Sequence, residues 1–226
     1  MEPVTTTQAA DRLGVTPEAV RKMLNNGRLT AAGRAGRTLL VDPASLQRVQ
    51  RGGKHAGRLW APATAWAALC LLSGEEAPWI GSSEKSRLKN RLRSATPEDI
   101  YLLARNRARI NRYRAAPSAA AQVLHGLVPT AGSAMQDLSM AARFGLTGGG
   151  SSADGYAMPG EAEAFAAAYG MVTDPAGSVI IREAALADPL TGITAPTAAV
   201  AVDLMDSLAT RERAAGVRVL GELLRG

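Results

Sequence analysis

The fold of the N-terminal quarter is decided by the stretch TTTQAADRLGVTPEAVRKMLNNGRL, residues 5–29. Its apolar residues recur at the spacing of two short amphipathic helices, and Gly14 separates the two. Thr16 is a favourable N-cap for the second helix, and Pro17 suits the first helical position because no N–H donor is needed there. Gly27 ends this helix. The stretch therefore predicts two short helices joined by a tight turn.

The residues that follow predict a β-wing and a third helix. Residues 28–30 and 38–41 have the pattern of short strands, and they flank the loop 33–37. The glycines of this loop permit the positive φ angles of a hairpin turn. Asp42 then caps a helix that has Pro43 at its first position. Three helices and a two-stranded wing are thus predicted within the first 50 residues.

This order of elements predicts DNA binding. A helix-turn-helix places the N-terminal part of its second helix in the major groove. The candidate contacts on that helix are Thr16, Glu18, Arg21, Lys22 and Asn25, with Arg21, Lys22 and Asn25 as base readers. Phosphate contacts are expected from Arg28, Arg34 and Arg37. The alternative is a three-helix unit with a solvated basic face; DNA binding is favoured because caps, glycines, apolar spacing and charge agree.

A family resemblance is carried by the same stretch. The residues are Thr6, Gln8, Ala9, Ala10, Leu13, Gly14, Val15, Thr16, Val20, Gly27, Arg28 and Leu29, followed by Gly36-Arg37 and Val41-Asp42. Over residues 5–50 the chain resembles the excisionase and MerR-like winged helix-turn-helix family, and the motif is specific for fold rather than for role. Lys22 and Met23 stand where many members carry an aromatic residue late in the second helix.

Charge is distributed unevenly along the chain. The 26 Lys+Arg and 20 Asp+Glu residues give a net charge of +6 in residues 1–58, +5 in 59–116 and −5 in 117–226. The basic front predicts contact with nucleic acid, and the acidic back predicts a different partner, such as a protein.

Composition excludes several classes of protein. One cysteine excludes a disulfide framework, and together with two histidines it gives no metal-ligand spacing, so no metal site is expected. Cys70 is expected to be buried. The N-terminus lacks a signal-peptide pattern, and the longest apolar run, residues 61–72, is too short to span a bilayer. We therefore expect a cytoplasmic protein without a membrane segment.

The whole chain is predicted to be mainly α with small β elements, with an N-terminal winged helix-turn-helix and an α+β C-terminal domain. The predicted segments are a DNA-binding domain at 1–52, a linker at 53–58, a basic helical region at 59–116 and an α+β partner-binding region at 117–226. Within the basic region, one arginine-rich helix is predicted over 97–114.

The C-terminal region has weaker signals. Residues 178–182 predict a strand that pairs with 155–158, and residues 148–152 predict a loop. The chain then ends with a predicted antiparallel pair of amphipathic helices at 196–208 and 211–224.

A second resemblance extends beyond the N-terminal domain. It is carried by Trp60, Trp66, Leu71-Leu72-Ser73-Gly74, Ser86-Arg87-Leu88, Arg91-Leu92, Ala195-Pro196, Val202-Asp203-Leu204, Arg211, Arg213, Ala214 and Gly216. In these residues the chain is similar to the AbiEi-like antitoxins of type IV toxin–antitoxin pairs. The resemblance implies an antitoxin that represses its own promoter and counteracts a co-encoded nucleotidyltransferase-like toxin.

Acidic residues of the predicted terminal helices are candidates for contact with such a toxin. They are Asp203, Asp206, Glu212 and Glu222. A plain solvated helical pair is the alternative. The arginines of the basic region have three possible roles in the same way. They contact the DNA backbone beyond the recognition helix, they bind an acidic partner, or they form a solvated face whose side-chain stems lie on apolar neighbours.

No set of residues predicts catalysis. The pair Gly132-Ser133 with Asp137 lacks the second carboxylate that two-metal chemistry requires, and the glycine-rich loop lacks the lysine of a phosphate-binding loop. His55 and His125 have no cysteine or carboxylate at a catalytic spacing. We therefore expect a protein that is not an enzyme and that needs no cofactor.

A reading module of this size covers few base pairs, so specificity requires two copies on DNA, by homodimerisation or by tandem binding. Two other functions stay open from the sequence. One is a stand-alone transcription regulator whose C-terminal domain senses a small molecule. The second is an excisionase-like recombination accessory protein that bends DNA.

Overall fold

The N-terminal helices form as the sequence predicts. The structure, a computed structural model, describes residues 2–25, 27–55, 58–147 and 153–226. The first elements are β1 (Val4–Thr5), α1 (Thr6–Leu13), α2 (Pro17–Asn25), β2 (Ala31–Ala35), β3 (Thr38–Val41) and α3 (Pro43–His55). The side chain of Thr5 accepts the N–H of Gln8, and the Gln8 side chain accepts the N–H of Thr5, which caps α1. Residues 4–55 are called the N-terminal unit below, and residues 58–226 the body.

The wing forms, but its first strand lies later than predicted. Residues 28–30 connect α2 to the wing, and the N–H of Leu29 donates to the Met23 carbonyl at 2.9 Å. The N–H of Thr30 donates to the hydroxyl of Ser45 at 3.1 Å. The strand is instead β2, and the sheet has the order β1-β3-β2 with antiparallel pairs. The prediction of a strand at 28–30 is therefore wrong, because the N–H groups of Leu29 and Thr30 donate to Met23 and Ser45 rather than to a neighbouring strand.

Two predicted connections fall partly or wholly outside the described residues. The linker predicted at 53–58 begins inside α3, which continues to His55, and residues 56 and 57 lie outside the described residues. The loop predicted at 148–152 lies entirely outside them.

The body combines helices with a mixed sheet. Its elements are α4 (Pro62–Leu72), α5 (Ser82–Leu92), α6 (Pro97–Leu103), β4 (Ala108–Arg114), α7 (Pro117–His125), β5 (Val128–Pro129), α8 (Leu138–Phe144), β6 (Ala153–Ala157), α9 (Ala162–Ala168), β7 (Val172–Thr173), β8 (Val179–Ala184), α10 (Thr197–Leu204) and α11 (Thr210–Arg225). The predicted fold class, mainly α with an α+β C-terminal part, is confirmed. Among the described residues, none of the helices combines the length and hydropathy that a membrane span requires.

The sheet of the body, as far as the described residues form it, has the strand order β5-β6-β8-β4-β7. Strands β6 and β8 are parallel, with Asp154 opposite Ile180, and the other pairs are antiparallel. The predicted pairing of 178–182 with 155–158 is therefore confirmed, with slightly shifted strand ends.

The arginine-rich segment ends as a strand rather than as a helix. The helix predicted over 97–114 stops with α6 at Leu103, and a 3₁₀ turn follows. Strand β4 then pairs with β8 from Ala108 to Tyr113. The prediction is wrong for this part because β8 supplies the hydrogen-bond partners of the backbone, and a distant strand overrides local helix propensity.

The predicted boundary between 59–116 and 117–226 does not separate two structural units. Strand β4, from the first segment, lies inside the sheet that the second segment builds. The core also crosses this boundary, since the buried ring of Trp66 on α4 contacts Tyr156 of β6 edge to face, with centroids 5.0 Å apart. The body therefore shares one sheet and one main core.

The two faces of the sheet differ in chemistry. One face directs Tyr113 and Ile181 into an apolar cluster with α7 and α9. The opposite face carries charged side chains, among them Arg112, Asp154 and Arg182, and it is directed toward α10.

Cys70 lies in the buried helix α4, as predicted. Burial, followed by the effect of Glu75, raises the pKa of its thiol to about 12. Since the thiolate is the reactive form, we expect no alkylation of native protein by iodoacetamide at neutral pH and complete alkylation in urea, measured by mass spectrometry. Equal labelling rates in both conditions would contradict this expectation.

The terminal helices α10 and α11 form the predicted pair and approach closely at Gly216. A Cβ at Gly216 would lie 2.5 Å from the carbonyl oxygen of Ala201, whereas one at Gly221 would meet its nearest atoms at 3.6 Å. We expect Gly216→Ala to lower the free energy of unfolding by about 1–3 kcal/mol through overpacking. The matched control Gly221→Ala is expected to raise it by up to about 1 kcal/mol, because alanine favours helix. Urea unfolding measures both, and the reverse order would contradict the close approach.

Candidate nucleic-acid interface

The polar face of α2 is exposed. The predicted contact residues on it are all exposed: Thr16, Glu18, Arg21, Lys22 and Asn25. The Thr16 Oγ1 accepts the N–H of Ala19 at 3.2 Å and so caps the helix. Val20 and Leu24 on the other side are buried. The packing of these two residues therefore directs the polar face outward.

Arg21 and Glu18 form an ion pair on this face. The Nη1 of Arg21 lies 3.0 Å from Oε2 of Glu18, and the two side chains are 57% and 80% exposed. Exposed pairs of this kind contribute little to stability. Arg21 can therefore exchange Glu18 for a base or a phosphate at small cost.

The other end of α2 contacts the body. Gly27, just after the helix, has φ +70°, and a Cβ there would lie 2.7 Å from the Cδ1 of Ile110 on β4. The Nη2 of Arg105 donates to the carbonyl of Arg28 at 2.9 Å. The body thus holds the C-terminal end of α2, while the N-terminal turn, which enters the major groove in a helix-turn-helix, is exposed.

The structure separates the three arginines that were expected to contact phosphate. Arg37 is exposed in the turn between β2 and β3, and no carboxylate of the described residues lies within ion-pair distance of it. Arg34 is exposed but its Nη2 lies 3.1 Å from Oδ1 of Asp174 in the body. Arg28 is exposed and lines the groove between the N-terminal unit and the body. Arg37 therefore needs the least rearrangement to meet a phosphate.

Asp174 is a functional candidate that sequence reasoning missed. Its Oδ1 accepts the N–H of Ala176 at 3.0 Å, and this hydrogen bond, followed by that of Arg34, lowers the pKa of Asp174. The carboxylate is therefore charged at neutral pH and holds the wing against the body. No local signal could reveal the pair, because 140 residues separate its members.

A cation–π cluster also joins the N-terminal unit to the body. The guanidinium groups of Arg48 on α3 and Arg105 in the body each lie 5.4 Å from the ring centroid of Tyr101. Arginine over an aromatic ring is favourable, more so when the contact is partly shielded from water. This cluster and the Arg34 ion pair dock the N-terminal unit at two places.

Comparison with known proteins agrees with this geometry. Residues 4–54 match the family model described as a helix-turn-helix domain. The N-terminal unit is a helix-turn-helix domain. This confirms the helix-turn-helix part of the first resemblance, and the domain suggests DNA as a partner. Neither the comparison with curated proteins nor the comparison with solved structures found a match.

Outside the helix-turn-helix domain, two acidic residues that were expected at the surface are buried. Asp203 is 1% exposed and Asp206 is 8% exposed. The Nη1 of Arg182 lies 2.8 Å from Oδ1 of Asp203 and 3.3 Å from Oδ2 of Asp206, and Arg107 also pairs with Asp203. The prediction that these two residues face a partner is wrong, because buried arginines neutralise them inside the body.

Asp154 completes this buried charge cluster, which consists of Arg107, Asp154, Arg182, Asp203 and Asp206. The Nε and Nη2 of Arg182 donate to the two carboxylate oxygens of Asp154 at 2.7 and 2.9 Å. Burial raises the pKa of Asp154 even though Arg182 acts to lower it.

Hydroxyl groups bind the remaining oxygens of the charge cluster. The hydroxyl of Thr130 donates to Oδ2 of Asp203, and the hydroxyl of Tyr101 donates to Oδ1 of Asp206, each at 2.6 Å. Burial acts to raise the pKa of Asp206, but the neighbouring arginines outweigh it, so the pKa is lowered. Every carboxylate oxygen of the charge cluster thus accepts a hydrogen bond.

The other two acidic candidates on α11 are partly exposed. The Oε1 of Glu222 lies 2.7 Å from Nη1 of Arg218, and the Glu222 side chain is 40% exposed. Glu212 accepts a hydrogen bond from the hydroxyl of Ser207. These two residues keep their place as candidates for contact with a partner.

The residues considered for two-metal chemistry have structural contacts. The Oδ1 of Asp137 accepts the N–H groups of Ser139 and Met140 at 2.9 Å and caps α8. Ser133 is buried, and its Oγ accepts the N–H of Asp154 at 2.9 Å. In the part of the chain that the structure describes, no group of three His, Cys, Asp or Glu side chains could hold a metal ion.

Proposed function

We propose that this protein is a transcriptional repressor that binds duplex DNA through α2 and the wing of its helix-turn-helix domain. The observation that carries the proposal is the exposed polar face of α2, on which Arg21, Lys22 and Asn25 all lie. Side chains of these types can read base edges in the major groove. The proposed role is binding without catalysis and without a cofactor.

Affinity and specificity come from different groups in this mechanism. Arg37, Arg34 and Arg28 neutralise phosphates, which makes binding dependent on salt because counterions are released. The residues on α2 select the base sequence. One domain covers few base pairs, so we propose that two chains bind the operator, as a homodimer or in tandem. Bound at a promoter, they would exclude the polymerase.

The test is binding of the full chain to the DNA upstream of its own gene, measured by fluorescence anisotropy at several salt concentrations. A shuffled duplex of the same length and composition serves as the control. We expect the upstream duplex to bind at least about 10³-fold more tightly, with affinity that falls linearly on a log–log salt plot. Equal affinity for both duplexes would overturn specific repression.

The resemblance to AbiEi-like antitoxins supports a narrower form of this proposal. In it, the repressed promoter also drives a nucleotidyltransferase-like toxin, which the body of this protein counteracts by contact. Glu212 and Glu222 are the acidic residues left for that contact. Purification of the tagged full chain from its host, with neighbouring genes intact, should recover such a toxin in a constant ratio. Recovery of the chain without it, while DNA binding persists, would overturn the antitoxin form alone.

The ion pair between the wing and the body predicts a gain of affinity. Asp174→Asn removes the charge that holds Arg34, so Arg34 becomes free to contact a phosphate. We expect DNA to bind up to about fivefold more tightly, because the Arg34 side chain is 44% exposed and a pair with such an arginine opposes release only weakly. Anisotropy titration measures the change. Asp188→Asn, at an exposed acidic position, should leave the affinity unchanged, and a weaker affinity for Asp174→Asn would contradict the release of Arg34.

A further inference from the structure

A cavity of about 580 Å³ lies where the wing meets the charged face of the sheet. Thr30 and Ala31 of the helix-turn-helix domain form part of its wall. Arg112, Asp154 and Arg182 line it from the sheet. This junction cavity has the size of pockets that bind small molecules.

Arg112 differs from the other charged residues around the junction cavity. Its Nε is buried without a hydrogen-bond partner. Among the described residues, no carboxylate lies within 4 Å of its guanidinium group, and its side chain donates no hydrogen bond. Burial, followed by the charge of Arg182, lowers its pKa. A buried Nε–H without an acceptor is costly, so it calls for a partner that the described part of this chain does not supply.

Four carboxylates of the described residues line the junction cavity, and one of them, Glu212, accepts a hydrogen bond from the hydroxyl of Ser207. Each oxygen of Asp154, Asp203 and Asp206 already accepts a hydrogen bond from within the body. These groups therefore offer little to a bound cation, whereas Arg112 offers donors without acceptors. A carboxylate or phosphate matches the planar fork of a guanidinium group.

The rest of the wall indicates an organic ligand. Met135 and Leu146 contribute apolar surface, and Ser178 and Ser207 contribute hydroxyls. A wall that combines apolar surface with hydrogen-bonding groups can hold a small organic molecule and fix its orientation. We propose that the junction cavity binds a small organic molecule whose carboxylate or phosphate group ion-pairs with Arg112.

The location of the junction cavity gives the ligand a regulatory consequence, which rests on the function proposed above. Ala176, from the loop that carries Asp174, packs against the core of the helix-turn-helix domain and also lines the cavity. A ligand in contact with both this loop and Ala31 stabilises the docked wing, in which Arg34 is held by Asp174. Ligand binding therefore lowers the affinity for DNA.

The site is tested without DNA, by thermal unfolding of the full chain with inorganic phosphate or benzoate at millimolar concentrations. We expect the midpoint of the wild type to rise by about 2 °C or more, with a shift that grows with the logarithm of ligand concentration. Arg112→Met should remove this rise. Because the Arg112 side chain has no ion pair or hydrogen bond with the described residues to lose, Arg112→Met should unfold no earlier than the wild type without ligand. Arg112→Lys keeps the charge and should retain a smaller shift.

The matched control is Arg109→Met, which removes a positive charge from the other face of β4, where Arg109 pairs with Glu183. It should respond to the anions as the wild type does. The proposal is overturned if neither anion shifts the wild type, or if Arg112→Met responds as strongly as the wild type. If only phosphate raises the midpoint, the ligand carries a phosphate group. If only benzoate raises it, the ligand carries a carboxylate. None of these outcomes depends on whether the protein is a repressor.

Discussion

Reversing the charges of Arg21 and Lys22 is expected to lower the affinity for operator DNA at least about 100-fold. Each side chain can supply a base or phosphate contact, and one good bidentate base contact contributes about 1–3 kcal/mol. The double variant Arg21→Glu/Lys22→Glu loses both contacts and adds repulsion from the phosphates. Both positions are exposed, so the fold should be retained. Anisotropy titration at about 150 mM salt measures the loss.

The control for this variant makes the same change of charge elsewhere. Arg87→Glu/Lys89→Glu alters two exposed residues on α5, a helix outside the helix-turn-helix domain. If the long-range charge of the protein alone drove binding, the two double variants would lose similar affinity. We expect the control to stay within about threefold of the wild type. An equal loss in both variants would contradict the assignment of α2 as the recognition helix.

Asp203→Asn is expected to lower the free energy of unfolding by about 3–5 kcal/mol. The substitution keeps the shape of the side chain but leaves Arg107 and Arg182 with less negative charge in a buried place. Breaking one partner of a buried ion pair leaves an uncompensated charge, which is the costly case. Unfolding in urea, followed by circular dichroism, measures the change.

The control for Asp203→Asn is Glu222→Gln, another acid-to-amide change on the terminal helices. Glu222 pairs with Arg218 at the surface, where both side chains are at least 40% exposed. Its loss should change the free energy of unfolding by less than about 0.5 kcal/mol. If both substitutions had equally small effects, the buried charge cluster would not contribute to stability as described.

The helix-turn-helix domain was predictable because its signals are local. Thr5 and Gln8 cap α1 three residues apart, and Gly14 and Gly27 end the two helices. The position of the first wing strand was missed because a contact between Thr30 and Ser45 decides it, and their separation of 15 residues exceeds a local pattern.

The body was predictable only in part because distant segments decide its structure. Strand β4 owes its conformation to β8, with Asn111 and Ile181 separated by 70 residues. On α10, Asp203 was expected at the surface because an unpaired acid is costly to bury, yet Arg107 and Arg182 pair with it inside the core. To predict the charged face of the sheet, one would have to know which arginines pair with acidic residues, and the sequence does not show this.

Residues that dock the helix-turn-helix domain onto the body are far apart in the sequence, so they are synthesised at different times. All elements of the helix-turn-helix domain lie before residue 56, so the domain can fold while most of the body is still untranslated. Asp174, which holds Arg34, follows it by 140 residues, and Asp203 follows Arg107 by 96. During this interval the nascent chain carries a helix-turn-helix domain whose wing is not yet held by Asp174. Newly made chains can therefore engage DNA before the body is complete, and before the junction cavity exists.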